Sequence, residues 1–228
     1  MAGSSPAMTG ASSADRHTTL VALRAPGAPP RFGDRRRMRV GLLGGSFNPA
    51  HAGHRHVAEL ARRRLRLDQV WLLVSPGNVL KPRAGMAELP QRLASAAAIG
   101  DGRRVIAAGL EAAWGTRYSI DTITMLRRRF PRVRFVWLMG ADILEQLPRW
   151  RHWRRFLSRV PVLVLPRPGY TARALAGTAA GWARGTRQPA RAAAVLAGLT
   201  PPAWMFLPAP QHAASASAIR ARREGAVP

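Results

Sequence analysis

The sequence contains no cysteine. Disulfides and thiolate metal sites are thereby excluded, which fits a reducing, cytoplasmic setting. No run of about 18 apolar residues occurs, so a membrane-spanning helix is not expected. Acidic residues are scarce, with 11 against 36 basic ones and a formal net charge of +25 over 228 residues. Lysine is nearly absent too: Lys81 is the only one, and every other basic residue is arginine. Such a balance suits anionic partners, phosphate esters and nucleic acid among them. Set among abundant Ala, Gly and Pro, the arginine bias reads first as GC-rich codon usage with a mild preference for anionic ligands. Dedicated nucleic-acid binding is the weaker reading, because no recognisable nucleic-acid module or aromatic binding surface accompanies the charge.

What is present is enough apolar residue, 47% of the chain, for one well-cored domain. Residues 1–37 are rich in Ser, Ala, Pro, Gly and Thr and keep no apolar period. A disordered extension is expected there, lacking the apolar stretch of a secretory signal. Met38 directly precedes the first strand-like run and is a candidate natural start. The expected domain covers residues 38–228.

Within it, short apolar runs alternate with helical periods. Strands are expected over 40–43, 70–74, 104–107, 134–139, 162–165 and 204–207. Helices are expected over 53–67, 89–99, 119–130, 142–147 and 217–223. Ser119 is the expected cap of the third helix, with Asp121 in its first turn. The Ala- and Arg-rich stretch 171–200 is predicted helical. This alternation implies a Rossmann-like α/β fold: a doubly wound, mainly parallel sheet with helices on both faces and a small C-terminal helical element. Trp71, Trp137 and Trp153 are expected to serve in packing.

The informative stretch is GGSFNPAHAGH over 44–54. It follows the first strand and opens the first long helix, where a doubly wound sheet binds its ligands. Gly44 and Gly45 permit close approach of backbone to a phosphate. A helix N-terminus supplies N–H groups and a positive dipole end. His51 and His54, three residues apart, can face one anion. The same pair could serve a metal, although no third ligand is evident. The string lacks the Gly-Lys-Ser/Thr ending of a Walker loop.

This string resembles the signature of the nucleotidyltransferase superfamily with the His-x-Gly-His motif. The resemblance continues through SPGNVLKPR (75–83), GTRYSIDT (115–122), MGAD (139–142), Trp150, RPGY (167–170) and SASAIR (215–220). These occur in the order found in bacterial nicotinate-nucleotide adenylyltransferases. The first and last motifs mark the superfamily, and the middle ones mark the nicotinate branch.

The resemblance implies adenylyl transfer from ATP to nicotinate mononucleotide, giving deamido-NAD and pyrophosphate in NAD biosynthesis. It implies that His51 and His54 contact the ATP phosphates, His54 being the transition-state group. Gly44, Gly45, Ser46 and Phe47 would line the same cradle. Gly140 and Asp142 would lie near the nucleotide ribose, and Ser217 and Arg220 would hold the outer phosphates. On the acceptor side, backbone donors near Tyr118 and Ser119 would receive the nicotinate carboxylate, and Trp150 would stack on the ring. Asn78, Lys81, Arg83 and Arg167 are the implied acceptor-binding side chains. Magnesium is expected with ATP, held mostly by phosphate and water, without a protein cage. ATP and nicotinate mononucleotide are thus the expected partners, no membrane is, and self-association stays open. Ser119 and Ser217 stand where the family often has Thr, and Ala214 where a larger apolar residue is usual.

Three rival readings remain. One is a related adenylyltransferase acting on nicotinamide mononucleotide or phosphopantetheine, or one using a cytidylyl donor. The second, of another class, is a basic RNA-binding protein. The third is a relative that binds nucleotide without catalysis, against which the intact histidines speak.

Overall fold

Alternating apolar runs and amphipathic periods organise the chain into a single seven-stranded sheet in the computed structural model, which describes residues 27–77 and 85–210. In chain order the elements are β1 (Arg39–Gly45), α1 (Ala52–Arg64), β2 (Gln69–Val74), α2 (Leu89–Ala98) and β3 (Val105–Ala108). There follow α3 (Leu110–Trp114), α4 (Ser119–Arg129), β4 (Arg134–Gly140), α5 (Ala141–Gln146), α6 (Trp153–Leu157) and β5 (Val162–Leu165). The described chain ends with α7 (Thr171–Ala176), α8 (Thr178–Trp182), β6 (Arg187–Gln188), a 3-10 stretch (Ala190–Gly198) and β7 (Trp204–Phe206).

The strand order is β3-β2-β1-β4-β5-β7-β6, and every pairing is parallel. β2 and β5 are buried along their whole length. Strands covered on both faces read as continuous apolar runs, as QVWLLV and VLVL do. One layer gathers Trp71, Phe130, Phe135, Trp137 and Phe156, with Trp71 meeting Phe130 and Phe135 edge-on at 5.3 and 5.7 Å. The other gathers Leu43, Phe47, Leu65, Leu72 and Leu163 under α1 and α2. Arginines crowd the last turns of α1 and α4, where they complement the helix dipoles.

From β1 the chain first winds outward through β2 and β3, then returns to lay β4 on the other side of β1. That reversal opens a crevice outside the carboxyl ends of β1 and β4, the ligand position in doubly wound sheets.

The expected fold class is therefore the one that forms. Several local readings differ. Ser119 is not a cap: Tyr118 takes the N-cap position of α4, and Ser119 is its first helical residue. The stretch 171–200 is not one helix; glycines and Pro189 break it into α7, α8, the edge strand β6 and a 3-10 segment. α3, closed by a left-handed Gly115, and α6 were not expected. Residues 27–37 are laid against the domain, so the boundary expected at Met38 falls inside packed chain. The Gly27 amide donates to Gly102 O, and Arg31 O accepts from both Trp114 Nε1 and Arg129. The expected helix 217–223 lies outside the described residues.

Candidate active site

Gly44 and Gly45 close β1, paired with Leu73 and Val74. A Cβ on Gly44 would sit 2.9 Å from the Trp137 ring, so packing against that ring requires this glycine. Phe47 follows with φ of 49°, an uncommon backbone for a bulky residue, and its side chain is 1% exposed. Phe47 therefore belongs to the core by its ring, and only its backbone is left for a phosphate cradle. The ring lies 4.8 Å from that of His54 and supports it. Asn48 ties the turn to chain after β2: its amide donates to Gly85 O at 2.9 Å, and the Ala87 N–H donates to its Oδ1 at 3.1 Å.

His51 and His54 meet with ring centroids 3.9 Å apart. His51 is the N-cap of α1 and His54 its N3 residue. The Gly53 N–H donates to His51 Nδ1 at 3.1 Å, and the His51 N–H donates to His54 Nδ1 at 3.2 Å. The two imidazoles thus form a reciprocal capping box, a role usually given to Ser or Thr with Glu or Gln. A neutral imidazole whose Nδ1 accepts carries its proton on Nε2. Each ring accordingly presents an Nε2–H donor. Burial, then the neighbouring His51, then the Arg167 guanidinium hold the His54 pKa down to about 3. His54 is a neutral donor.

At the end of β4, Gly140 caps α5 and Asp142 lies in its first turn. A Cβ on Gly140 would fall 2.4 Å from Asp142 Oδ1 and 4.0 Å from Arg167 Cδ, so these three crowd together. The Arg167 guanidinium is close enough to act electrostatically on His54, and its Cδ approaches Gly140. Gly53, His56 and Val57 of α1 face Pro166, Arg167 and Pro210 across a narrow cleft beside these residues.

The expected acceptor groups also converge. Tyr118 precedes α4, whose first N–H groups have no partner within the helix. The Arg151 guanidinium lies over the Tyr118 ring at 4.8 Å, which brings the segment bearing Trp150 beside it. Trp150 packs edge-on against Trp137 and Phe156 at 6.3 and 5.6 Å. Trp137 touches both this cluster and the glycine turn, so one buried ring joins the two halves of the crevice. Asn78, Lys81, Arg83, Ser217 and Arg220 lie outside the described residues.

Three residues escaped the reading of the sequence. Arg151 offered no signal beyond being one more arginine. Arg92 is 2% exposed, and its signal was position: it occupies the apolar face of α2 between Leu89, Leu93 and Ala96. Glu111 is a half-buried acid in an acid-poor chain, accepting from Thr122 Oγ1 at 2.9 Å, and loss of solvent around its carboxyl raises its pKa to about 7.

Among the described residues, no three His, Asp or Glu side chains cluster as a metal cage. Both histidine Nδ1 atoms are engaged by backbone. Imidazole nitrogens suit a hard cation poorly, and a magnesium ion would take its oxygens from the nucleotide and water. A larger cavity of about 470 Å³ lies at the β6–β7 edge, where Arg187 covers the Trp204 ring; it holds no group of the kind just described.

A parallel sheet with a switch point, a glycine turn and two imidazoles at a helix start suit a phosphate-bearing nucleotide ligand. Residues 42–222 match the cytidylyltransferase-like family, to which the chain belongs. A relative from Gluconobacter oxydans is 57% identical over 80% of this chain and 94% of its own. One from Gluconacetobacter diazotrophicus is 57% identical over 83% and 88%, and one from Parvibaculum lavamentivorans 51% identical over 81% and 92%. All three carry the name "Probable nicotinate-nucleotide adenylyltransferase". Within the broader family the chain belongs with these nicotinate-nucleotide adenylyltransferases. The fold is also that of a solved structure, "Plasmodium falciparum nicotinic acid mononucleotide adenylyltransferase complexed with APC". It aligns at a TM-score of 0.59 and 14% identity over 81% of this chain and 83% of that one.

Proposed function

We propose that this chain transfers the adenylyl group of ATP to nicotinate mononucleotide, forming deamido-NAD and pyrophosphate. The carrying observation is the reciprocal His51–His54 capping box beside Arg167 at the sheet's switch point.

A phosphate oxygen of the acceptor attacks the α-phosphorus of ATP. The bond from that phosphorus to its bridging oxygen breaks, and pyrophosphate leaves with the electron pair. The nucleophile is already anionic, so no enzyme nucleophile is needed, and catalysis is alignment plus charge stabilisation. The Nε2–H groups of His51 and His54 donate to phosphate oxygens as charge develops, with His54 on the reacting phosphorus. Arg167 adds a fixed positive charge next to them. Backbone around Gly44, Gly45, Ser46 and Phe47 lines the phosphate cradle, and Gly140 and Asp142 receive the ribose. Ser217 and Arg220 hold the leaving phosphates. The N-terminus of α4 at Tyr118 and Ser119 takes the nicotinate carboxylate, Trp150 stacks on the ring, and Asn78, Lys81 and Arg83 bind the acceptor phosphate. Magnesium, carried by phosphate and water, neutralises charge on the triphosphate when bound. A cytoplasmic setting suits these soluble substrates.

The test is pyrophosphate release with nicotinate and nicotinamide mononucleotides offered side by side. The acid is expected to be the preferred acceptor; clear preference for the amide refutes the assignment of substrate.

A further inference from the structure

Arg92 carries a buried positive charge with no carboxylate within ion-pair distance among the described residues. Its partners are four backbone carbonyls. Nε donates to Ala87 O at 2.8 Å, one terminal nitrogen donates to Ser46 O at 2.9 Å and Ser75 O at 2.7 Å, and the other to Pro76 O at 3.3 Å. Ser46 lies in the turn after β1; Ser75 and Pro76 follow β2. Burying such a group is costly unless the fold gains geometry from it. Only a planar fork with five N–H donors reaches so many acceptors at once; a lysine does not.

Three further bonds repeat the connection. Asn48 joins the same turn to Gly85 and Ala87, and the Ala50 N–H donates to Ser95 Oγ at 2.9 Å. Residues 85–95 therefore brace the 46–50 turn from below. The brace also sets direction. The Ser46–Phe47 and Pro76–Gly77 peptides are trans, so each C=O and the N–H of its own peptide point opposite ways. With both carbonyls drawn to Arg92, the Phe47 and Gly77 N–H groups are aimed away from it, one after β1 and one after β2.

We propose that Arg92 is a positioning residue that locks the turn after β1 and the chain after β2 into one unit, so that nucleotide and acceptor bind synergistically. This rests on the proposed function, which places the triphosphate at the first and the acceptor phosphate at the second. Arg92 touches neither ligand and acts through the peptides it holds.

The experiment measures nicotinate mononucleotide binding by calorimetry, with and without a non-transferable ATP analogue carrying carbon at the α,β bridge. The parent, Arg92→Lys and Arg92→Gln are compared, with kcat measured alongside. In the parent the analogue tightens the mononucleotide about fivefold or more. In both variants that ratio falls to about one while each separate Kd stays within about threefold, and kcat drops about tenfold or more. Folded variants that keep the ratio and kcat overturn the proposal, as does a parent without synergy. Should the variants fail to fold, amide exchange in the parent decides: the analogue alone must slow exchange at Ala87, and unchanged exchange there overturns it. A parent that binds the analogue but never uses the mononucleotide refutes the functional reading instead, and the exchange measurement still decides the coupling.

Discussion

His54 shows how ordinary helix physics fixes the tautomer and charge of one side chain. The backbone N–H at its Nδ1 fixes the tautomer, and burial, His51 and Arg167 keep it uncharged. Its pKa lies below the ordinary histidine value of 6.5, at about 3. Its contribution to stability is thus fully present above pH 6.5 and declines as pH falls toward 3. In the free protein, the His54 ring resonances are expected to show no titration between about pH 5 and 8. An inflection near 6.5 in a nuclear magnetic resonance titration would refute the neutral donor. That the two histidines meet at a helix start was legible in the sequence, since spacing there is a local property. Their reciprocal capping was not, because capping boxes are ordinarily read from Ser, Thr, Glu and Gln.

Between elements, α3 and α4 are clasped by a buried polar cluster. Glu111 accepts from Thr122, and the Thr122 and Thr116 hydroxyls lie 3.1 Å apart. Burial raises Glu111 from 4.5 to about 7, so the folded protein prefers it protonated. Its contribution is complete below pH 4.5 and is lost as pH rises through about 7. The loss is on the order of 2 kcal/mol. Glu111→Gln is expected to flatten this dependence, so that urea midpoints at about pH 5 and 8 differ less than in the parent. An unchanged difference would assign the effect elsewhere. Strands were the most legible elements: VWLLV and VLVL are buried on both faces and have no alternative home. The short helices α3 and α6 were hidden because five residues hold too little period to read, and tertiary contacts with the aromatic layer stabilise them instead.

For the molecule as a whole, the doubly wound order followed from alternation alone, while the extent of the folded unit did not. Composition marked residues 1–37 as a disordered extension, yet from Gly27 onward the chain crosses the helical face. Pro29 is buried, the Trp114 indole and the Arg129 guanidinium both donate to Arg31 O, and Arg31 donates to Ala113 O. A backbone carbonyl serves these bonds whatever side chain it carries, which is why residue types gave no warning. A chain begun at Met38 loses all of them, each worth about 1 kcal/mol net. Its melting midpoint is expected to fall by about 4 °C or more, read by scanning calorimetry. An unchanged midpoint would show the strap to be energetically idle.

The doubly employed helix start has a consequence for anyone improving this protein. Serine at position 51 and glutamate at position 54 would satisfy the same amides, and a screen that rewards heat resistance would welcome both. On the proposed function, what it selected would be a sound scaffold with a silent crevice. Robustness and turnover must therefore be scored together at this one turn.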